Sequence, residues 1–222
     1  MKAAFPLDIH TDKAIYETQF GYVERPTHEN TSWDAAKFEV CAHKYADISE
    51  DDYGVALINN CKYGHNCEGS TLKLTMLKCG TFPYEDADKG NHEFTYSLVP
   101  HSGNHKMGGV VQESYLLNRP LIAVEATGDG KTSDSFSFVK CNKENVIIET
   151  VKKAEKEDAY VIRAYDAYNR KGKADFTFGF DIKKAYACDL MENKLGELEI
   201  SDNRTVSLDV SNFEIVTIMA EK

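Results

Sequence analysis

The sequence predicts an all-β fold made of antiparallel β-sandwich units, with at most one short helix. Two observations carry this prediction. Apolar and polar residues alternate over short segments such as Leu72–Leu77 and Phe94–Val99, and a period of two is typical of half-buried antiparallel strands. The chain after residue 134 contains seven short strand-like segments with turn residues between them, a pattern typical of a compact β-sandwich.

Three further strands are predicted in the first part of the chain. Ala14–Val23 is rich in β-forming and aromatic residues, and Pro26 stops this run. The stretches Phe38–Ala42 and Gly54–Ile58 are apolar and lie on either side of a polar segment. Both are predicted to be strands, with the polar segment at the turn between them.

One helix and one domain boundary interrupt the strand pattern. Val110–Leu117 has residues of like character four positions apart and is closed by Pro120, which predicts a helix. Residues 127–134 contain two glycines and no apolar residue, which predicts a linker. The chain is therefore expected to divide into a first β unit, residues 1–126, and a second, residues 135–222.

The second unit is predicted from its short strands. They begin at Ser135, Asn145, Tyr160, Lys173, Ala185, Thr205 and Phe213. The charged stretch Lys152–Asp158 is expected to be a hairpin loop. The phenylalanines at 176, 178 and 180 alternate with other residues, so they are expected on one face of a strand.

Composition limits the possible functions. The net charge of −10 over 222 residues argues against nucleic-acid binding, because no basic stripe is available to displace counterions. The chain has no run of 18 apolar residues, so neither a membrane span nor membrane binding is expected. Its six cysteines show no compact framework. Free thiols, and hence a cytoplasmic location, are the simplest interpretation.

The candidate functional residues lie in the polar segment between two predicted strands. They are His43, Lys44, Tyr45, Asp47 and Glu50. Polar groups at the ends of rigid strands are well placed to meet a ligand or a neighbouring domain. Charged side chains and aromatic rings of this kind are suited to a sugar. The alternative is a turn cluster that satisfies its own backbone and packs against another domain.

The same region resembles a known family. Ala42–Gly64 reads AHKYADISEDDYGVALINNCKYG, and it is followed in order by GSTLKLTMLKC at Gly69–Cys79, ADKGNHEFTYSLVPHSG at Ala87–Gly103 and FEIVTI at Phe213–Ile218. These segments resemble the C-terminal β region of glycoside hydrolase family 38 α-mannosidases. The resemblance runs from about Phe5 to the end and implies a fragment of a large super-sandwich followed by a small C-terminal β-sandwich.

The chain departs from the family pattern at three positions in or near the candidate functional segment. Lys44 and Tyr45 stand where many members have Arg-Trp, and Asn60 stands where Asp is common. By resemblance, the basic residue belongs to a loop that faces the catalytic pocket, a role that falls on Lys44. Lysine keeps the positive charge but lacks the bidentate geometry of arginine.

The resemblance also implies where the chemistry is. Family members hydrolyse terminal α-D-mannose with retention and use zinc, and their nucleophile and zinc ligands come mainly from an N-terminal catalytic domain. Nothing in this chain resembles that domain, so no catalytic residue and no bound metal are expected here. The expected partners are that missing domain and an α-mannosyl oligosaccharide, with a homo-oligomer as a further possibility.

Three functional hypotheses follow. The chain is the C-terminal β part of an α-mannosidase, which starts mid-domain, supports the catalytic domain and offers it the His43–Glu50 loop. Alternatively, it is an autonomous carbohydrate-binding β-sandwich. The third hypothesis is a small complete hydrolase with its own carboxylate pair, which no motif supports. The first predicts an exposed apolar surface where the rest of the enzyme docks.

Two groups of residues have the composition of metal ligands. His10 and Asp12 have a His-x-Asp spacing, and Cys61, His65 and Cys67 form C-x3-H-x-C. A catalytic zinc needs about three protein ligands, and neither spacing matches a common site. The first pair is expected in a surface loop, and the second group is expected at strand ends.

Several single residues are also assigned structural roles. Trp33 is the only tryptophan and is expected to anchor a core or a domain interface rather than to stack on a sugar. Tyr63 and Tyr84 are interpreted in the same way. His92 and His101 bracket a predicted strand, and both are expected to be structural.

Overall fold

In the computed structural model, the residues described are 1–125, 130 and 135–222. They form two units, residues 1–123 and 124–222. The predicted linker at 127–134 lies outside the described residues except for Gly130, so the boundaries proposed around it stay a prediction. No helix in the described part of the chain is long and apolar enough to cross a membrane.

The first unit contains two antiparallel sheets. Its elements are β1 Lys2–Pro6, β2 Lys13–Thr18, β3 Gly21–Pro26, α1 Ser32–Ala35, β4 Val40–Cys41, β5 Tyr45–Ser49, β6 Tyr53–Asn59, β7 Gly64–Glu68, β8 Thr71–Thr75, β9 Tyr96–Ser102 and α2 Val110–Asn118. One sheet has the order β1-β8-β7-β4, and the other has the order β3-β2-β5-β6-β9.

The core of this unit lies between its sheets. Ile48 and Leu57 come from the five-stranded sheet, Leu72 and Leu74 come from the four-stranded one, and all four are fully buried in one apolar cluster. The predicted alternation of Leu72–Leu77 is confirmed for the residues of β8. The opposite face of the five-stranded sheet is covered in part by α2, which contacts β5 and β6.

The second unit is also a pair of antiparallel sheets. Its strands are β10 Val139–Cys141, β11 Val146–Lys153, β12 Tyr160–Asp166, β13 Gly172–Phe178, β14 Lys184–Cys188, β15 Lys194–Leu198, β16 Ile200–Ser201, β17 Thr205–Val210 and β18 Ile215–Glu221. The sheet orders are β10-β13-β17-β16 and β11-β12-β18-β14-β15. Phe176 and Phe178 are buried between the sheets, with Phe180 packed against them.

The all-β prediction is confirmed, and the predicted helix is present as α2. All seven predicted strands of the second unit have a counterpart, although β10 begins only at Val139. The stretch Lys152–Asp158 joins β11 and β12 and begins in the strand itself. The strands β15 and β16 were not predicted, because four of the five β15 residues are exposed and carry little apolar alternation.

Several boundaries in the first unit differ from the prediction. Ala14–Val23 is two strands, because Phe20 adopts a left-handed φ of 60° and turns the chain. Phe38–Ala42 shrinks to the two residues of β4. The strand β9 runs through Pro100, which is possible because β9 is an edge strand and this position needs no ladder donor on its outer side.

A second helix, α1, is a single turn. The Thr31 hydroxyl accepts a hydrogen bond from the Asp34 N–H at 3.2 Å, and the Asp34 carboxylate accepts one from the Thr31 N–H at 3.2 Å. This reciprocal capping box satisfies donors that a four-residue helix would otherwise leave unpaired.

Asp166 fixes the end of β12 in the second unit. Its buried carboxylate accepts hydrogen bonds from the backbone N–H groups of Tyr168, Arg170 and Phe213 at 3.2, 2.8 and 2.9 Å. It also accepts one from the Asn145 amide at 2.8 Å. Four donors from three segments therefore converge on one side chain.

We expect Asp166→Asn to lower the free energy of unfolding of the second unit by about 2 kcal/mol. An amide offers one acceptor oxygen instead of two and removes the charge that strengthens these bonds. Urea unfolding would measure the change. The exposed Asp209 of β17 gives a matched control, because Asp209→Asn should stay within about 0.5 kcal/mol of the parent. Equal effects of the two substitutions would contradict the assignment.

Candidate functional site

The five candidate residues do not form a loop. Positions 45–49 are the strand β5, which pairs with β6 from Tyr45↔Ile58 to Ser49↔Gly54 and with β2 at Ile15↔Asp47. The predicted His43–Glu50 loop is therefore wrong. This segment forms a strand despite its turn-forming residues, because a central strand makes backbone hydrogen bonds on both sides and buries Ile48.

Glu50 lies at the opposite end of β5 from His43. Its Oε2 accepts a hydrogen bond from the backbone N–H of His10 at 2.9 Å. Seven residues of extended chain span about 20 Å. The structure therefore does not bring Glu50 together with His43 and Lys44.

Tyr45 and Asp47 are inside the protein. Their side chains are on the face of β5 opposite the main apolar core, and they are 1% and 0% exposed. His101 of β9 lies on the same face, and its Nε2 is 2.6 Å from Oδ2 of Asp47. Because both residues are buried, neither can contact a ligand directly. The partner of Asp47 is His101, which gives Asp47 a structural role.

Two glycines make room for the His101 ring. A Cβ at Gly54 would lie 2.4 Å from its Cε1, and a Cβ at Gly108 would lie 2.3 Å from its Nδ1. Real Cβ atoms do not approach other atoms this closely. The imidazole is therefore clamped between β6 and the segment that leads into α2.

The electrostatics of this pair follow from its burial. Burial raises the pKa of Asp47, against the lowering effect of the hydrogen bond from His101. Burial lowers the pKa of His101, but the hydrogen bond and the charge of Asp47 outweigh it, so the net change is upward. Both directions favour a proton held between the carboxylate and the imidazole.

His43 and Lys44 form the accessible part of the candidate site. Glu17, at the end of β2, has a side chain that is only 4% exposed. Its Oε1 accepts from Lys44 Nζ at 2.6 Å, and its Oε2 accepts from the Lys44 backbone N–H at 2.8 Å. Lys44 Nζ also lies 4.9 Å from the centre of the Tyr115 ring. A buried carboxylate and an aromatic face thus fix a lysine whose side chain is 23% exposed.

The His43 ring lies close to four side chains. Its Nε2 is 3.2 Å from the Gln19 amide nitrogen and 3.7 Å from Cys41 Sγ. Its Nδ1 is 3.8 Å from Glu17 Oε2, and its ring meets Tyr63 edge-on at 5.2 Å. We call these residues, together with Lys44, the strand-end cluster: Glu17, Gln19, Cys41, His43, Lys44 and Tyr63.

An open groove adjoins the strand-end cluster. Its volume is about 550 Å³, and Cys41 and Tyr63 lie on its wall together with Met1, Phe38 and Leu77. The side chain of Phe38 is 64% exposed, and that of Tyr63 is 52% exposed. The groove therefore presents aromatic surface beside charged groups.

The two groups with metal-ligand composition do not form metal sites. The His10 side chain is 92% exposed in the loop before β2 and lies 3.8 Å from Asp8. Asp12 is also exposed, so the expectation of a surface loop is confirmed. Among the described residues, no group of three His, Cys, Asp or Glu side chains is arranged to hold a metal ion.

His65 and Cys67 have become interior residues of β7. His65 is 1% exposed and its Nε2 lies 3.4 Å from the Asn59 amide, while Cys67 packs in the apolar core. Burial lowers the pKa of His65 to about 4 and raises that of the Cys67 thiol to about 12. Cys61 is exposed outside the strand, so the three do not converge.

Three of the single aromatic and histidine candidates are on the surface. Trp33 is 79% exposed and Tyr84 is 64% exposed, so neither anchors the core, and an interface role stays a prediction. His92 contacts the Asp88 carbonyl at 2.8 Å in an exposed segment. His101 is buried as the penultimate residue of β9, where its contact with Asp47 gives it a structural role.

The residues that sequence reasoning missed are Glu17, Gln19, Cys41 and Tyr115. Glu17 had a local signal, because a charged residue within the apolar run AIYET needs a partner if the strand is buried on both faces. The other three had none, since their relation to position 43 or 44 depends on how the chain packs.

Two models of known protein families match the sequence of this chain. Residues 1–86 match the model of the glycosyl hydrolases family 38 C-terminal domain, and residues 145–218 match that of the family 38 C-terminal beta sandwich domain. The two matches cover most of the chain in the order that the family prescribes. The chain belongs to the C-terminal region of glycoside hydrolase family 38.

Curated relatives of this family 38 region extend far beyond it. Alpha-mannosidase 2C1 of Homo sapiens is 40% identical over 224 residues, which is 99% of this chain and 21% of that protein. Alpha-mannosidase G of Dictyostelium discoideum is 38% identical over 94% of this chain and 20% of that protein. The chain therefore spans about a fifth of the length of the curated relatives it matches.

A solved structure shares the fold of the family 38 region. An alpha-mannosidase from Enterococcus faecalis superposes with a TM-score of 0.80 over 100% of this chain and 25% of that chain, at 17% sequence identity. At this identity the likeness concerns the fold alone.

Proposed function

We propose that the full-length protein is an α-mannosidase that removes terminal α-D-mannose from glycans, and that this chain supports its catalytic part and offers the strand-end cluster to the sugar. The observation that carries the proposal is the fixed, partly exposed Lys44 at the site where the family resemblance puts a basic residue facing the pocket. Relatives named alpha-mannosidases match nearly the whole chain, which supports the activity.

The mechanism assigns binding and positioning to this chain. Lys44 presents an ammonium group to sugar hydroxyls while Glu17 and Tyr115 restrict its motion. His43 and Tyr63 add a donor or acceptor and an aromatic face, which are the groups that sugars need. Asp47 and Tyr45 are buried beneath the strand-end cluster and stabilise the five-stranded sheet. Glu50 lies at the other end of β5 and is not part of the site.

From the family resemblance, the reaction of the full-length enzyme is also proposed to retain the sugar's configuration and to depend on zinc. Retention requires two carboxyl groups about 5 Å apart, and zinc requires about three protein ligands. The described residues of this chain do not fit a zinc ion, as the dispersed positions of His10, Cys61 and His65 illustrate. The role of this chain is therefore derived from its own side chains.

Exposed apolar side chains support a docking role towards the rest of the enzyme. Trp33 is 79% exposed, Leu121 is 94% exposed and Ile122 is 88% exposed. Leu121 and Ile122 are neighbours in the chain, and exposed apolar side chains that lie together are typical of an interface.

A cytoplasmic location is also proposed, supported by the six free cysteines of the structure.

We expect Lys44→Met in the full-length enzyme to lower kcat/KM for an aryl α-mannoside at least about tenfold, equivalent to about 1.4 kcal/mol of binding to the transition state. Methionine keeps the length of the side chain and removes the charge. Lys13→Met is the matched control, because Lys13 lies at the other end of β2 and its ammonium group pairs with the exposed Glu24 at 3.3 Å. Equal activity of both variants would remove the strand-end cluster from the site.

The isolated chain gives the complementary test. It should not hydrolyse the same substrate with or without added zinc, and turnover would show that catalytic groups lie within it. The second hypothesis, an autonomous carbohydrate-binding module, draws on the exposed Tyr63 ring beside His43. It predicts that the isolated chain binds α-mannosides in calorimetry and that Tyr63→Ala abolishes the heat of binding.

A further inference from the structure

Cys41 faces a histidine that is oriented to act as a base. Its sulfur lies 3.7 Å from Nε2 of His43, within reach of a hydrogen bond from a thiol. The cysteine is exposed and lies in the short edge strand β4. The pairing is independent of any role of this region in mannoside hydrolysis.

The neighbours of His43 determine which of its nitrogens can accept a proton. The Gln19 amide nitrogen lies 3.2 Å from Nε2, and both an amide NH₂ and a thiol are donors. Nε2 is therefore the nitrogen with the lone pair, and Nδ1 carries the proton. Nδ1 makes no hydrogen bond but lies 3.8 Å from the Glu17 carboxylate, a negative charge that would stabilise an imidazolium ion once it forms.

A surface for a ligand lies beside the sulfur. Cys41 is on the wall of the groove of about 550 Å³, next to Phe38, Tyr63 and Leu77. An apolar group bound there would lie close to the thiol. The nucleophile, the base, a carboxylate near the base and a groove with an aromatic and aliphatic wall are thus assembled in one place.

We propose that Cys41 is a reactive thiol, activated by His43 and Glu17, that adds to α,β-unsaturated carbonyl compounds with an apolar substituent. His43 Nε2 takes the thiol proton, and the thiolate forms a C–S bond to the β-carbon. The π electrons of the C=C bond move towards the carbonyl to give an enolate. The imidazolium returns its proton to the α-carbon. No group leaves, and no oxidant is consumed.

The test is the rate of maleimide addition at each cysteine of the purified chain, followed by peptide mass spectrometry. Cys61 and Cys79 are also exposed and are the internal controls, since neither has a histidine among its hydrogen-bonding partners in the described residues. Cys41 should react about fivefold to tenfold faster than either at neutral pH. An equal rate at the three cysteines would overturn the proposal.

A further measurement separates activation from simple exposure. His43→Gln should reduce the rate at Cys41 to that of Cys61, with circular dichroism to establish that the variant is folded. A folded variant in which Cys41 still reacts faster than Cys61 would contradict activation by His43.

The role of the groove is tested by changing the reagent. N-hexylmaleimide should react faster than N-methylmaleimide at Cys41 and at the same rate at Cys79. Equal rates of the two reagents at Cys41 would exclude the apolar surface as part of the site.

Discussion

Replacing His101 by alanine is expected to lower the free energy of unfolding of the first unit by about 3–5 kcal/mol. Removing one partner of a buried charged pair leaves the other without compensation. Asp47 is 0% exposed, and its Oδ1 already lacks a hydrogen-bond partner. Loss of the ring also leaves a cavity between β6 and the segment before α2. Hydrogen exchange of peptides from β5 and β6 would measure the change within this unit.

The matched control is His92→Ala, since His92 is exposed and its ring contacts a backbone carbonyl at 2.8 Å. It should change the stability by less than about 0.5 kcal/mol. A double-mutant cycle with Asp47→Asn isolates the pair, and the two substitutions together should cost clearly less than their sum. Strict additivity would mean that the 2.6 Å contact carries no coupling energy.

The second large effect is expected on acidification. Burial lowers the pKa of His65 to about 4 and that of His105 to about 3. A group whose pKa is lower in the folded state binds fewer protons there than in the unfolded chain. Stability is therefore lost as the pH falls from about 6.5 towards these values. Between about pH 7 and pH 4.5 the two histidines together should remove about 5 kcal/mol.

Two groups in the same unit act in the opposite direction. The raised pKa values of Asp47 and His101 mean that the folded state binds their protons more readily, so their contributions to stability grow as the pH falls. Urea unfolding at the two pH values gives the net effect, and His105→Leu should remove about half of the loss. A variant that keeps the full pH dependence would show that the buried histidines do not cause it.

The fold could be read from the sequence where each strand carries its own signal. The alternating phenylalanines of β13 predicted a buried face, and Phe176 and Phe178 are buried. Val110–Leu117 predicted α2 because a proline closes it. These elements follow from short-range periodicity, which a local sequence contains in full.

The sequence indicated some residues of the candidate site but not the long-range contacts that position them. The sequence singled out His43 and Lys44, whose side chains are 25% and 23% exposed, and their contact with a sugar stays a prediction. It placed Asp47 in a turn, whereas Asp47 lies in the strand β5. The partner that makes Asp47 tolerable inside the protein is His101, 54 residues later in the chain. A turn former can occupy a central strand when such a partner exists, and no local pattern reveals that it does.

The clamp around His101 makes the two glycines harder to replace than the ring alone would. The ring occupies volume that side chains at Gly54 and Gly108 would need. A Cβ at Gly54 would also lie 2.6 Å from Cβ of Ser49, and one at Gly108 would lie 2.7 Å from Cβ of His101. Related proteins should therefore keep glycine at 54 and 108 even where a smaller residue replaces the histidine. A comparison of many family 38 sequences would show this as two columns that vary less than the one at 101.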